Sequence, residues 1–306
     1  MTEHTVVADR YTWLFPRPAA IRIGSESHRD LFCGLLLQTF DPYKPAVIAW
    51  PELDDVTIER LTGLPFWDTA VSIEARAAFR MQAQANQTAD DLIREALSLN
   101  AFEEDRHRHV LGHMLRFYAI PVDAEVTFAE KTDAEWGFLR TGFGECINSF
   151  VAFGLFDLAR RSGFFPQPLV DTFEPVIQEE ARHIMFFVNW VAYRRANLPL
   201  WRKPLFVAKC LAAVAEQFLA RMTTGLQMRR LKARRSAPEK AGTALGAGKA
   251  NFLGDSRAMM AQRPSKADFM RLCLAEQDRR MAGYDRRLLR PTMMPRIARL
   301  LLKILR

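Results

Sequence analysis

Cysteine is scarce in this chain, and its placement excludes two classes of protein at once. Cys33, Cys146, Cys210 and Cys273 are the four in 306 residues. They lie far apart with no Cys-x-x-Cys pattern, so neither a zinc ribbon nor a disulfide framework is indicated, and reduced thiols are expected. Long apolar runs are lacking as well. Spanning a bilayer takes roughly 20 consecutive apolar residues. The nearest approach, residues 206–222, is interrupted by Lys209, Glu216 and Arg221. The first residues, Met1-Thr2-Glu3-His4, lack the basic-then-apolar order of a secretory signal, and a cytoplasmic protein is the expectation. Alternating strand patterns are nearly missing, which points to an all-α fold. Histidine is rare too, at six in the whole chain, so the positions of those six carry information.

Charge is plentiful but one-sided. The net charge is +8, and most of the excess falls after residue 190: in Arg194-Arg195, in the 229–235 cluster and in the final thirty residues. A basic surface suits nucleic acid, an anionic membrane or an acidic protein partner. The absence of aromatics interleaved with the basic residues counts against nucleic acid. The last segment, Pro295 to Arg306, reads as a basic amphipathic helix. Two readings stand for it: it lies on an anionic membrane at the inner face, or its leucines dock on the protein and its arginines face water.

Hydrophobic periodicity divides the chain into three parts. Residues 1–65 form a helical lead-in, with an apolar stripe from Ser25 to Phe40 that the prolines at 42, 45 and 51 break. Residues 66–198 read as four long helices. The first runs from near Asp68 to about Gln84. The second opens near Thr88, at a capping-box-like Thr88-Ala89-Asp90-Asp91, and ends before Pro121. The third is opened by the capping box Thr132-Asp133-Ala134-Glu135 and stops at Ser162-Gly163. The fourth covers roughly 168–196, with Pro175 either in its first turn or kinking it. Residues 199–306 form a helical extension: a helix from Pro204 to about Leu231, an exposed loop over 232–250, a helix around Lys266–Tyr284, and the basic end.

Two Glu-x-x-His pairs occur in the central part, Glu104-Asp105-Arg106-His107 and Glu180-Ala181-Arg182-His183. Positions i and i+3 share a helix face, so each pair aims a carboxylate and an imidazole the same way. With six histidines and eighteen glutamates, chance supplies about a third of one such pair. Each pair also follows another glutamate, Glu74 or Glu145, at the distance of a helical hairpin. Ala77, Ala78 and Met81 flank Glu74, and Ile177, Ile184 and Phe187 flank His183; carboxylates on such faces are costly to bury unless ionic partners await them. Four carboxylates and two imidazoles converging inside a four-helix bundle bind two iron or manganese ions. Carboxylates bridge and offset the charge of such ions, and imidazole supplies one softer donor to each. Glu104 and Glu180 are assigned as bridges, with Glu74 and Glu145 as outer carboxylates.

On these residues the chain resembles the ferritin-like di-iron carboxylate superfamily over about residues 68–196. The string Glu179-Glu180-Ala181-Arg182-His183 looks like the acidic-Glu-Ala-Arg-His segment common in that superfamily. Within it the pattern is distantly similar to the arylamine N-oxygenases, where an acidic residue precedes each ligand glutamate, as Glu103 and Glu179 do here. Their additional histidine, one turn before the last pair, is replaced by Val176. The resemblance implies a ferritin-like four-helix bundle with extra helices at both ends. It further implies metal ligands Glu74, Glu104, His107, Glu145, Glu180 and His183, supported by Glu103, Glu179 and Arg182. The implied activity is that of a di-iron oxygenase or oxidase, using dioxygen to oxidise a small apolar or aromatic organic substrate. Electrons would come from a ferredoxin or reductase. A dimanganese peroxide-dismuting enzyme, a tRNA-modifying hydroxylase and a non-catalytic iron-binding protein are the alternatives. A homodimer is left open.

Three further features bear on the site. Gly142 and Gly144 are unusual inside a helix and are expected to loosen it or make room beside Glu145. His109 and His113 lie near the ligand face of the second helix but are rotated away from it. Nine aromatics from Phe138 to Trp190 crowd the third and fourth helices, enough for a core and for an apolar channel to the metals.

Overall fold

The structure is a computed structural model that describes residues 20–64, 67–121, 133–235 and 264–304. The fold is all-α, with no strand among the described residues. In chain order the α-helices are α1 (Glu26–Leu37), α2 (Asp55–Thr62), α3 (Trp67–Asn86), α4 (Asp91–Phe117), α5 (Ala134–Ser162), α6 (Gln167–Asp171), α7 (Glu174–Asn197), α8 (Lys203–Arg235), α9 (Lys266–Met281) and α10 (Met293–Ile304). None of the described helices is long and apolar enough to cross a membrane.

Four of these helices enclose the site. α3 packs on α4, α4 on α7, α7 on α5, and α5 on α3. Side-chain contacts give the direction of two of these pairings. Between α5 and α7, Phe138 stacks on Trp190, Gly142 faces Phe187 and Ser149 meets Glu180. One number rises as the other falls, so the pair is antiparallel. α4 and α7 are antiparallel as well, through Glu103 with Arg182 and Arg106 with Glu179. Phe138 and Phe153 of α5, Phe186 and Phe187 of α7 and Phe32 of α1 are fully buried in one core.

Helix starts follow their caps. Asp90, not Thr88, caps α4, its carboxylate accepting from the Ile93 amide; the Thr88 hydroxyl instead donates back to the Gln84 carbonyl. Asp133 caps α5, while Thr132 of the expected capping box lies outside the described residues. The expected fourth helix is divided in two at Thr172–Phe173. Pro175 has no N–H to give and its ring would press on the Asp171 carbonyl, so it is tolerated only in the first turn of a new helix, where it sits.

The added helices cover the bundle from several sides. α1 packs on α4 and α7, with the buried His28 ring 3.0 Å from Asn189 Oδ1. α8 and α9 both lie against α5. α8 runs on to Arg235, past the expected limit at 231, and the remainder of the expected 232–250 loop lies outside the described residues. α10 docks through Pro295 and Ala298, whereas Leu300, Leu301 and Ile304 are exposed. Of the two readings of this segment, docking is met by Pro295 and Ala298, while Leu300 and Leu301 are on the outside.

Candidate metal centre

α4 and α7 bring their Glu-x-x-His pairs level with one another. Donor atoms of Glu104, His107, Glu180 and His183 all lie within 4.8 Å of each other, a group able to hold a metal ion. His183 Nδ1 is 2.9 Å from Glu104 Oε1, and His107 Nδ1 is 3.2 Å from Glu180 Oε1. The two imidazole rings are 5.5 Å apart. Glu74 enters from α3, 3.6 Å from His107 Nδ1. Glu145 enters from α5 and is buried, close enough for its charge to be felt by Glu104, Glu180 and His183. All six residues singled out by spacing thus gather between the same four helices.

The imidazoles are held from behind, crosswise. His183 Nε2 is 2.8 Å from Glu103, and His107 Nε2 is 2.8 Å from Glu179. Each of these carboxylates also accepts from an arginine of the opposite helix: Arg182 donates to Glu103 at 2.7 Å and Arg106 to Glu179 at 2.6 Å. The arginines are tied in turn to the lead-in. Arg106 donates to the Asp41 carbonyl at 2.7 Å, and Arg182 to the Thr39 carbonyl and hydroxyl. Tyr43 completes this layer, its hydroxyl donating to Glu179 and its ring 3.9 Å beneath the Arg106 guanidinium. Bonding at Nε2 leaves Nδ1 of each ring facing the cluster, the arrangement in which an outer carboxylate orients a metal-binding histidine.

The electrostatics are those of a site short of positive charge. Burial, with the charges of Glu180 and Glu74, pushes the Glu104 carboxyl well above its ordinary range. Burial and the Glu104 charge do the same to Glu145. Burial opposes ionisation of Glu180 as well, but hydrogen bonding and charge from His107, then His183 and Ser149, hold it below that range. For His107, burial disfavours the cation, yet Glu179, Glu180 and Glu74 together raise it well above the usual imidazole value. Burial is likewise outweighed at Glu103, where His183 and Arg182 keep the carboxyl low.

Unpartnered atoms supply the test of fit. Glu104 Oε1, both carboxyl oxygens of Glu145, and Nδ1 of His107 and His183 are buried with no hydrogen bond. Leaving one buried polar group unsatisfied costs about 1–3 kcal/mol. Five of them converge here, although atoms such as His183 Nδ1 and Glu104 Oε1 stand within reach. No hydrogen bond joins that pair, 2.9 Å apart as it is. Oxygen and imidazole donors in this number suit iron or manganese.

A cavity of about 310 Å³ opens from the cluster. Glu74, Glu104, His107, Glu145 and Glu180 form one end, and apolar side chains including Met114, Phe156, Phe165 and Phe173 line the rest. Val176 is one of the lining residues. His109 is half exposed and 3.3 Å from Asp105, away from the cluster. Spacing did not reveal Ser149, which donates to Glu180, nor Thr39 and Tyr43, which sit in an irregular segment without a motif.

No family model, no curated protein and no solved structure matches this chain.

Proposed function

We propose that the chain is a ferritin-like di-iron enzyme, an oxygenase or oxidase acting on a small organic substrate with an apolar or aromatic body. The observation that carries this reading is a group of five unpartnered buried donor atoms, four of them on residues that line the head of an apolar cavity. Glu104, His107, Glu180 and His183 would hold the metals, with Glu74 and Glu145 as further carboxylates. Iron held by these residues would supply redox chemistry toward dioxygen. Glu103 and Glu179 keep each imidazole turned with Nδ1 inward, and the apolar walls bind the substrate and keep bulk water away. A cavity of this size favours an organic substrate over peroxide alone, which needs no apolar chamber. An acidic ferredoxin- or reductase-type donor suits the basic surplus after residue 190.

Anaerobic loading with ferrous or manganous salt tests this. Two metal ions per chain are expected, with Glu104→Ala and His183→Ala each lowering the stoichiometry. The iron form should consume oxygen faster when apolar organic compounds are supplied. A wild-type chain that takes up no metal sinks the reading.

A further inference from the structure

Outside the metal cluster, three lining side chains of the cavity carry hydrogen-bonding nitrogen or oxygen: Trp67, Ser149 and Asn148. Two are already engaged. The Trp67 indole N–H donates to the Leu61 carbonyl at 2.8 Å, and the Ser149 hydroxyl donates to Glu180 at 3.0 Å. Asn148 remains, one residue from Ser149 and three from Glu145.

Its orientation is set by a cation outside the cavity. Arg221 of α8 donates from Nη2 to Asn148 Oδ1 at 2.6 Å. A guanidinium only donates, so the amide atom facing it has to be the oxygen, and the NH2 is turned to the other side. Arg221 is itself fixed, donating to the Gln217 carbonyl and side chain at 2.7 and 3.0 Å and reaching the Gly144 carbonyl at 3.4 Å. Among the described residues no carboxylate stands at ion-pair distance from it. Gly144 permits the approach: a β-carbon there would stand 3.0 Å from Gln217 Oε1. Among the described residues the Asn148 NH2 has no hydrogen-bond partner, yet it is not sealed off.

We infer that Asn148 is a specificity residue that offers its NH2 to the cavity. The substrate then belongs to a narrower class: an apolar body carrying one hydrogen-bond acceptor, such as a carbonyl. This rests on the proposed function only in taking the cavity as the substrate's place. In an apolar chamber an acceptor-bearing ligand gains the hydrogen bond, and an isostere without one leaves the amide unsatisfied.

The test measures binding of 1-tetralone and of tetralin, which differ by one carbonyl, to the full-length metal-free chain by calorimetry. In Asn148→Leu the tetralone-to-tetralin affinity ratio should fall on the order of five-fold, as loss of one hydrogen bond implies. Arg221→Met should move the ratio in the same direction, with tetralin binding kept. An unchanged ratio in Asn148→Leu, or a wild-type chain that binds neither probe, overturns the inference. Metal uptake tells the two readings apart. If Asn148→Leu holds two metals with the ratio unchanged, this inference alone fails. If the ratio shifts in a chain that takes up no metal, the metal reading alone fails.

Discussion

Glu103 reaches across to His183 while Glu179 reaches back to His107, both at 2.8 Å. The carboxylate preceding one pair thus orients the histidine of the other. Replacing Glu103 with glutamine keeps the size of the side chain but removes the charge that Arg182 and His183 share. Loss of an outer carboxylate of this kind weakens metal binding by about 10–100-fold. Glu103→Gln and Glu179→Gln should therefore each lower cobalt(II) affinity by that order, read by chelator competition without oxygen; wild-type affinity in both would remove their orienting role. Acidic residues at 103 and 179 were legible from the sequence, but their crossing was not. Within one helix Glu103 sits four residues before His107, and only the antiparallel register of α4 against α7 sends it to the other ring. Thr39 and Tyr43 were hidden for a different reason: they act from a proline-rich stretch with no periodicity, through contacts set by the tertiary fold.

Helix pairing explains Gly142, one of the two glycines flagged near Glu145, and also Gly154, which the sequence did not single out. A β-carbon at Gly142 would lie 2.1 Å from the Phe187 ring, and one at Gly154 would lie 2.3 Å from Cys273 Sγ. Gly142 therefore lets α7 close on α5, and Gly154 lets α9 do so. Neither is there to loosen a backbone, and both stay helical. Overpacking of this kind costs about 1–3 kcal/mol. Gly142→Ala should destabilise the chain by that amount in urea titration, and adding Phe187→Leu should restore part of it. Full wild-type stability for Gly142→Ala would mean that the two helices are further apart than described. At this scale most of the fold was legible, because long apolar stripes fix helix existence whatever packs on them. Ends were less so. The split at Thr172–Phe173 needed a choice between two roles for Pro175, and the shift of the α4 cap to Asp90 needed to know which side chain meets a free amide.

Taken as a whole, the metal-free molecule carries its weakest point in the middle of its bundle, and pH should expose it. Glu104 and Glu145 have carboxyls raised above the ordinary value, chiefly by burial. The folded chain thus holds their protons more tightly than the unfolded chain, and their contribution to stability is complete below about pH 4.3 and lost as pH rises through the raised values. His107, also raised, acts with the same sign, its contribution complete below about pH 6.5 and lost through its own higher value. Glu103 and Glu180 are depressed. They stabilise above about pH 4.3 and lose that effect as pH falls through their folded values. The opposing sets leave a maximum at mildly acidic pH and a decline toward the alkaline side. Metal ions bound at the cluster would take the place of these protons, so binding should release protons and strengthen as pH rises. Scanning calorimetry from about pH 5 to about pH 8.5, with chelator and with manganous ion, should show a Tm that falls with pH for the metal-free chain. The Tm gain on adding metal should widen over the same range. A metal-free Tm that climbs steadily through neutral pH would mean that the four glutamates are not gathered in one buried place.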